Sequence, residues 1–518
     1  MPMPAQSDVR LVDLVASLAL SSDLATGQPL EHSLRRTLIA VWLGSESGME
    51  ADDLRDTFYV ALLGSVGCVL DGAALACYLD DEISFRGDMF ALEMTSPAVA
   101  ARYFTRRVGR GKPALQRISS LVGMSRQAGA ICREVAMGVG GMLNLGPAVG
   151  EALGQCDEHW NGKASVLGLV GEQISVPARL FRLAQDIDVF SRSDGIDAAV
   201  TVVRARSGTY YDPHLSSVFM NQARDLARVL DVASTWDAIL AAEPLPVRVL
   251  APNEFDTVAG QIANVIDMRS AFTVGHSPAV AGLAEAAGQR LGLHSDESHT
   301  LRSAGLLHDL GRSGVPVTIW DKPGPLTQDE RKRLERHPAL TELVLARSSS
   351  LGPLGTLAGL HHERLDGSGY RGVTGPSIPL LARVLATADA YQSKLEPRAY
   401  RPPLTPSDAA ASVRAQVAVG RLDGDVAAAL LEVAGHVAQP EATAPSAGLT
   451  AREVEVLRLL VTGLSNREVA HALFLSPKTV GRHVERIYEK ANVTTRVGVT
   501  LFAIENGLVA KPARPDPR

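Results

Sequence analysis

Cysteine and long apolar runs are both scarce in this chain. Four cysteines occur among 518 residues, all in the first half, and their spacing matches neither a metal-binding motif nor a disulfide framework. Such usage favours the reducing environment of the cytoplasm. No apolar run approaches the roughly 18 residues of a membrane-spanning helix, and the N-terminus lacks the basic segment of a secretory signal. We therefore expect a cytoplasmic protein without a membrane span.

A strong net charge is also missing. The formal charge of −6 at pH 7 excludes a general nucleic-acid coat, yet residues 449–518 hold 11 Lys and Arg against 7 Asp and Glu. That local excess of positive charge indicates a phosphate-binding C-terminal segment. Hydrophobic residues make up 46% of the chain, which is ample for three folded units.

Histidines and aspartates recur along the second half in a set that resembles a metal site. The set comprises His276, His308, Asp309, His337, His361, His362 and Asp389. These side chains offer only nitrogen and carboxylate oxygen, which suit iron, manganese, zinc or nickel without distinguishing among them. Seven ligands suffice for two divalent ions. Burying such groups without a metal would cost about 1–3 kcal/mol each.

Each ligand sits where a helix can present it. An apolar stretch at helical spacing, residues 301–307, precedes His308, so that His308 should lie at a helix C-terminus. His276 should begin another helix, and Asp389 closes the apolar run of residues 380–388. The pattern predicts a metal site between facing helices of an all-α bundle.

Five short motifs share their order with a known family. They are HS-x-x-V from His276, LLHDLGRSGVP from Leu306, HP at His337, HHERLDGSGY from His361 and ATADAY from Ala386. Over roughly residues 255–437 the chain resembles the HD-GYP branch of the HD metal-dependent phosphohydrolases. The resemblance implies an all-helical fold, two or three metal ions held by the seven residues above, and hydrolysis of cyclic di-GMP.

The chain departs from that family at four points. Arg312 replaces the usual lysine after the His-Asp pair, which keeps the charge but changes its shape. Tyr370 is followed by Arg371 rather than proline, and Gln392 stands in place of a second aspartate. Phe272 occupies the position where some members carry a third-metal glutamate, so we expect two ions rather than three.

The residue types also fit phosphodiester hydrolysis. Two metal ions can lower the pKa of a shared water and orient it toward phosphorus. Asp309 is the expected bridging ligand and, with Arg312, the expected catalytic pair. Guanidinium groups bind phosphate oxygens in bidentate fashion, so Arg312, Arg398 and Arg401 are the candidate phosphate contacts.

The first half of the chain repeats the second. The interval from His32 to Gly64 equals that from His276 to His308, and later segments match with offsets of 205 and then 204 residues. An insertion of about 40 residues separates the two halves of the first copy. The ligands are lost there: Gly64-Ser65 aligns with His308-Asp309, Cys156-Asp157 with His361-His362, and Gln185 with Asp389. We expect a metal-free repeat that serves packing, dimerisation or ligand sensing.

A separate signal lies near the C-terminus. A Thr-x-x-Glu capping box at Thr450, a second cap at Ser465 and a Ser-Pro cap at Ser476 predict successive helices, followed by a last helix near residues 496–505. With LTxREVEVL, GLSNREVA and LSPKTV, residues 448–510 resemble the four-helix LuxR-type DNA-binding domain. Its helix-turn-helix would place one helix in the major groove.

The side chains of that helix divide into two faces. Val480, Val484 and Ile487 should pack inward. The outward face comprises the predicted DNA-binding residues Lys478, Thr479, Arg482, His483 and Arg486. Arg482 is the expected base contact, whereas Lys478, Thr479 and Arg486 should hold phosphates. Such domains commonly bind paired half-sites, so a homodimer is implied.

These patterns predict an all-α chain of tandem HD-type domains, the first degenerate, plus a four-helix LuxR-type domain. The expected bounds are 1–245 for the degenerate repeat, 246–437 for the metal-binding repeat, 438–448 for a linker, 449–510 for the DNA-binding domain and 511–518 for a disordered tail. The leading hypothesis is a metal-dependent cyclic di-GMP phosphodiesterase coupled to transcriptional control. The alternatives are a catalytically silent regulator that senses a nucleotide, and a protein-interaction scaffold.

Overall fold

The protein is helical throughout the part that the computed structural model describes. Described residues are 9–91, 103–104, 107–108, 132–163, 167–436, 448–461, 464–473, 475–493, 495–506 and 508. Among them, extended backbone pairs only in isolated bridges such as Arg10 with Val249. The all-α prediction is confirmed. Two compact units form, residues 1–436 and 437–518. Nearly all of the predicted linker, the whole predicted tail and most of the predicted insertion lie outside the described residues.

Eleven helices of the first repeat have defined bounds, and residues 132–142 are helical as well. The eleven are α1 (Leu11–Thr26), α2 (His32–Glu46), α3 (Ala51–Leu63), α4 (Gly67–Leu70), α5 (Gly72–Ala76), α6 (Glu82–Ala91), α7 (Pro147–Leu153), α8 (Val176–Asp194), α9 (Ile196–Arg206), α10 (Pro213–Val229) and α11 (Thr235–Ala242). Helix α1 is buried on almost every side, because small and aliphatic residues cover its whole circumference. It is therefore a central helix of the first unit.

Ten described helices form the second repeat. They are α12 (Pro252–Asp267), α13 (His276–Arg290), α14 (Ser295–Leu307), α15 (Val317–Trp320), α16 (Gln328–Leu334), α17 (His337–Leu345), α18 (Gly352–Ala358), α19 (Leu380–Leu395), α20 (Pro406–Ala418) and α21 (Gly424–Val433). Helix α14 ends just before His308, as predicted. Helix α19 continues past Asp389 to Leu395, so Asp389 lies within the helix rather than at its end.

The two repeats share local hydrogen bonds as well as sequence spacing. The hydroxyl of Ser33, in the first turn of α2, donates to the Asp23 carboxylate at 2.6 Å. The hydroxyl of Ser277, in the first turn of α13, donates to the Asp267 carboxylate at 2.8 Å. In both cases the backbone N–H of the serine donates to the same aspartate. Each aspartate thus fixes the start of the helix that carries the equivalent histidine.

A second correspondence involves the glutamate that follows Cys156-Asp157 in the first repeat and His361-His362 in the second. The carboxylate of Glu158 accepts two backbone N–H groups, from Leu167 and Leu169, at 2.8 and 3.0 Å. The carboxylate of Glu363 accepts two N–H groups at 2.8 and 2.7 Å from the loop that follows it. The two halves of the first unit therefore share local hydrogen-bond arrangements at positions that the predicted repeat aligns.

The two repeats pack around one continuous hydrophobic core. The hydroxyl of Ser21, on α1, donates to the carbonyl of Leu310 at 2.8 Å in the turn that follows Asp309. The hydroxyl of Ser348 donates to the Asp13 carboxylate at 2.8 Å. Both repeats belong to one unit, and the boundary placed at residues 245 and 246 stays a prediction.

The C-terminal unit has its own small core. Its described helices are α22 (Ala451–Val461), α23 (Asn466–Ala472), α24 (Pro477–Ala491) and α25 (Arg496–Glu505). The capping box at Thr450 forms as predicted, because the Thr450 N–H donates to the Glu453 carboxylate at 2.8 Å. Side chains of all four helices form the core. None of the described helices in either unit combines the length and apolarity of a membrane span.

Candidate metal centre

Four helices and two turns bring the seven predicted ligands together. His276 and His337 open helices α13 and α17, and His308 caps the end of α14. Gly275, before His276, has φ +79°, a conformation that glycine adopts without strain. All seven side chains meet around the Asp309 and Asp389 carboxylates.

The Asp309 carboxylate lies at the centre of the cluster. Its Oδ2 atom is 3.4 Å from His308 Nε2 and 3.6 Å from His276 Nε2. Its Oδ1 atom is 3.5 Å from His337 Nε2 and 3.7 Å from His361 Nε2. Each oxygen therefore faces its own pair of imidazoles.

The Asp389 carboxylate joins the same two groups from α19. Its Oδ1 atom is 3.3 Å from His276 Nε2, and its Oδ2 atom is 3.4 Å from His362 Nδ1. Three nitrogens, from His337, His361 and His362, also lie within 4.8 Å of one another. The donors thus divide into two neighbouring sets that share both carboxylates.

The imidazoles are oriented by hydrogen bonds on their far side. The Nδ1–H groups of His308, His337 and His361 donate to backbone carbonyls three residues earlier, at 2.8, 2.7 and 2.6 Å. Their Nε2 lone pairs therefore point to the centre. The Nε2 atom of His308 is buried and has no hydrogen-bond partner. A metal ion would satisfy this atom, so the donor set fits the cation that the sequence implies.

At His337, His361 and Asp309, burial and charge favour the protonation states that metal binding needs. Burial lowers the pKa of His337 to about 4 and that of His361 to about 3, which leaves both imidazoles neutral at pH 7. Burial would raise the pKa of Asp309, but His308 and Arg312 outweigh it and hold that pKa well below its usual range. Neutral imidazoles and ionised carboxylates are the forms that bind metals.

Glu396 is a partner of the cluster that the sequence analysis missed. Its carboxylate accepts a hydrogen bond from His276 Nδ1 at 2.9 Å and one from the Gln392 amide at 2.9 Å. Burial lowers the pKa of His276, but the bonds to Asp389 and Glu396 outweigh it and raise the pKa to about 10. Glu396 follows the ATADAY motif by five residues, and only that proximity could have indicated it.

A cavity of about 620 Å³ opens over the cluster. Its walls include Arg312, whose guanidinium donates to Asp309 at 2.8 Å and stacks over the Trp320 ring at 3.9 Å. A planar guanidinium can make both contacts at once, which a lysine ammonium cannot do with the same geometry. Tyr370 also lines the cavity and packs on His362, with ring centroids 4.5 Å apart.

The predicted phosphate contacts Arg398 and Arg401 both line this cavity. Arg401 donates to several backbone carbonyls around the end of α19, including that of Ser393 at 2.5 Å. Arg398 donates to the Phe272 carbonyl at 2.7 Å and pairs with Glu396 at 3.0 Å. Many of their donors are therefore already engaged, and their role in phosphate binding stays a prediction.

Lys394 lies in the same wall and offers a positive charge that is less engaged by protein groups than those of Arg398 and Arg401. The sequence analysis did not select it. Its side chain lines the cavity, and its ammonium has no ion-pair partner within the described part of the chain. Burial and the neighbouring Arg401 lower its pKa. An anionic ligand is the natural partner for such a group.

In the first repeat, a guanidinium lies at the position equivalent to the metal centre. Arg36 is fully buried and donates to Ser65 Oγ at 2.8 Å and to Gln185 Oε1 at 3.3 Å. Ser65 and Gln185 align with the carboxylates Asp309 and Asp389. A fixed cation of the chain therefore lies between the residues that replaced the two carboxylates.

The C-terminal unit presents its predicted DNA-binding side chains on α24. Lys478, Arg482 and Arg486 are exposed, whereas Thr479 and His483 are half-buried. The Thr479 hydroxyl lies 2.7 Å from that of Ser476, the residue that caps the helix. Val480 and Ile487 are buried and Val484 packs against the same core, as predicted. The contacts that the outward residues make to DNA stay a prediction.

Comparison with known families agrees with both parts of the chain. Residues 260–426 match the HD domain family, and residues 447–503 match the luxR family of bacterial regulatory proteins. The "Cyclic di-GMP phosphodiesterase response regulator RpfG" of Xanthomonas campestris is 36% identical over 159 residues, which cover 30% of this chain and 42% of that protein.

One relative matches far beyond the HD domain. The "3'3'-cGAMP-specific phosphodiesterase 3" of Vibrio cholerae is 30% identical over 439 residues, which cover 82% of this chain and 95% of that protein. A crystal structure of a cyclic GMP-AMP-specific phosphodiesterase from V. cholerae covers 83% of this chain and 98% of its own, with 26% identity and a TM-score of 0.56. The chain therefore belongs to the HD-domain phosphodiesterases, which are metal-dependent phosphohydrolases, and carries a C-terminal domain of the luxR family.

Proposed function

We propose that this protein hydrolyses a cyclic dinucleotide at the second repeat and binds DNA through its C-terminal unit. The observation that carries the proposal is the position of Asp309, whose two oxygens each face a separate pair of imidazole nitrogens. A cluster of this kind, open to a 620 Å³ cavity with several cationic side chains, fits a phosphodiester rather than a neutral substrate.

The seven predicted ligands would hold two divalent ions. Phe272 offers no carboxylate for a third ion. When bound, the ions would supply Lewis-acid stabilisation and an activated water. The donor set suits iron, manganese, zinc or nickel.

The side chains of the cavity would bind and orient the substrate. Arg312 lines the cavity and is held between Asp309 and Trp320, so its guanidinium would meet the substrate from a fixed position. Lys394 would bind a phosphate oxygen as a mobile point charge. Arg398, beside Glu396, borders the same space and adds positive potential.

The substrate class follows from the relatives. The sequence motifs imply cyclic di-GMP, whereas the relative matched over most of its length is named for 3'3'-cGAMP. Both molecules contain two phosphodiesters that a two-metal site can attack. We propose a guanine-containing cyclic dinucleotide as the substrate, with both compounds to be tested.

The C-terminal unit would couple this activity to transcription. Arg482 would contact a base, and Lys478, Thr479, His483 and Arg486 would contribute to the same surface. Paired half-sites would require a homodimer. DNA and cyclic dinucleotides both occur in the cytoplasm, so the proposed activity would take place there.

One experiment tests the proposal directly. The purified full chain is incubated with cyclic di-GMP or 3'3'-cGAMP and each candidate metal, and linear products are separated by chromatography. We expect metal-dependent hydrolysis of at least one compound, lost in the His308→Ala/Asp309→Ala variant. Tight binding without product would instead support a sensor, and the absence of both metal and ligand binding would support a scaffold.

A further inference from the structure

The fold brings together two cysteines that are 64 positions apart in the sequence. The Sγ atoms of Cys68 and Cys132 are 3.7 Å apart, and Cys132 Sγ lies 3.0 Å from Asp71 Oδ2. The other two thiols, of Cys77 and Cys156, each bond a carbonyl one turn earlier in the chain. Cys68 and Cys132 thus form the one facing thiol pair among the chain's four cysteines.

The surroundings of the pair favour a reactive thiolate. The hydrogen bond between the two thiols lowers the pKa of Cys68 to about 7, although burial acts in the opposite direction. The Arg86 guanidinium donates to the Cys68 carbonyl at 2.6 Å and pairs with Asp71, adding positive charge beside the sulfur. A thiolate is the nucleophilic form of cysteine, and both residues retain partial exposure.

We propose that Cys68 and Cys132 form a redox-sensitive site that a hydroperoxide converts into an intramolecular disulfide. The Cys68 thiolate attacks one oxygen of hydrogen peroxide, the O–O bond breaks, and a sulfenic acid and hydroxide result. The Cys132 sulfur then attacks the Cys68 sulfur, the S–O bond breaks, and hydroxide leaves. Asp71 accepts the Cys132 proton and passes it to solvent. Two electrons move from the sulfurs to peroxide, which leaves as two waters.

A metal site is the competing interpretation of the same residues. Ligand atoms of Cys68, Asp71 and Cys132 lie within 4.8 Å of one another, and thiolates bind zinc well. However, the Arg86 guanidinium already pairs with the Asp71 carboxylate. The described residues offer only three ligands here, whereas a structural zinc site takes four, so the geometry favours disulfide formation.

The thiol pair adjoins contacts between the two repeats. The Arg269 guanidinium, from the second repeat, donates to the Val69 carbonyl at 3.1 Å and to the buried Glu82 carboxylate at 3.0 Å. Glu82 also accepts the N–H of Val317, which begins the helix that ends at Trp320 in the cavity wall. Forming a bond of about 2.05 Å from sulfurs 3.7 Å apart requires movement of Cys68, the residue before Val69.

The test uses the reduced full chain and hydrogen peroxide. Free thiols are titrated, and peptides are mapped by mass spectrometry without reductant. We expect the loss of two of the four thiols, a linked Cys68–Cys132 peptide, and full reversal by dithiothreitol. The Cys77→Ser variant should behave like the wild type, whereas Cys68→Ser should form no linked peptide.

Three results would overturn the proposal. The first is a Cys68–Cys132 pair that reacts with peroxide no faster than Cys77. The second is a linked peptide that contains Cys77. The third is zinc that is released as Cys68 and Cys132 are titrated. The wild-type thiol count and peptide map decide this without any variant. A change of hydrolysis rate on oxidation would rest in addition on the proposed function, whereas the disulfide itself does not.

Discussion

The two repeats of the first unit are built on the same scaffold but stabilise their centres differently. In the second repeat, histidine nitrogens and two carboxylates surround a space suited to cations. In the first, the Arg36 guanidinium lies between Ser65 and Gln185 and also donates to the Ala61 carbonyl at 2.9 Å. One repeat thus needs cations from solution, whereas the other carries its own.

Residues next to Arg36 add to the difference between the centres of the two repeats. A side chain at Gly64, the counterpart of His308, would meet the Phe181 ring at 2.2 Å, so the ring fills the space that a histidine would need. The Arg36 guanidinium stacks over that same ring at 4.5 Å. Phe181 and Arg36 therefore fill, in the first repeat, the space that corresponds to the ligand cluster of the second.

The largest effect should come from removing a histidine of the second repeat. His361→Ala deletes a nitrogen donor facing Asp309, so we expect hydrolysis to fall to background and bound metal to decrease. The matched change in the first repeat, Cys156→Ala, should alter neither quantity. Both variants are assayed for product formation and metal content at equal concentration. Equal losses in the two variants would remove the distinction between the repeats.

Removing the internal cation should destabilise the first repeat. Arg36→Met leaves Ser65, Gln185 and the Ala61 carbonyl without their donor in a buried site, at an expected cost of about 3 kcal/mol. Urea unfolding followed by circular dichroism measures the change. Metal content of the folded variant should equal that of the wild type. An unchanged unfolding midpoint would show that the guanidinium does not support the fold.

The partner of His276 should tune metal affinity. Glu396→Gln weakens the carboxylate contact at His276 Nδ1, and we expect metal to bind about 10- to 100-fold more weakly. Arg192, 204 positions earlier, contacts His32 in the first repeat at 3.0 Å, so Arg192→Gln is the control and should leave metal affinity unchanged. Chelator competition gives both affinities. Undiminished affinity in Glu396→Gln would limit this carboxylate to a packing role.

The smallest effect should be on substrate binding. Lys394→Ala removes a charged hydrogen bond of about 1.5 kcal/mol, which corresponds to a roughly tenfold increase in KM with kcat little changed. Lys394→Arg should recover most of the affinity, and Lys332→Ala, an exposed lysine outside the cavity, is the control. Steady-state kinetics on the cyclic dinucleotide separate the two parameters. A decrease in kcat alone would contradict a binding role.

Local signals explain why much of this molecule could be predicted from the sequence. Helix caps such as Thr450 with Glu453 depend on residues three positions apart, and the family motifs place the seven donors in order. The lost ligands of the first repeat were also visible, because the spacing between His32 and Gly64 matches that of the second copy. These features depend on spacings along the sequence, which can be read without knowledge of the fold.

Features that depend on packing between distant segments were not predicted. Arg36 reaches Gln185 across 149 positions, and Cys68 reaches Cys132 across 64, with no pattern in the sequence to join either pair. The engagement of Arg401 by backbone carbonyls likewise depends on how the chain turns after α19. Proximity between segments distant in the sequence decides these contacts, and periodicity carries no information on it.

Metal stoichiometry tests the central contrast most directly. The full chain is purified without chelator, supplied with the metal that supports hydrolysis, and measured by native mass spectrometry together with elemental analysis. We expect two ions per chain, both lost in His308→Ala/Asp309→Ala and both retained in Cys156→Ala. Four ions per chain, or ions that persist when His308 and Asp309 are removed, would contradict it.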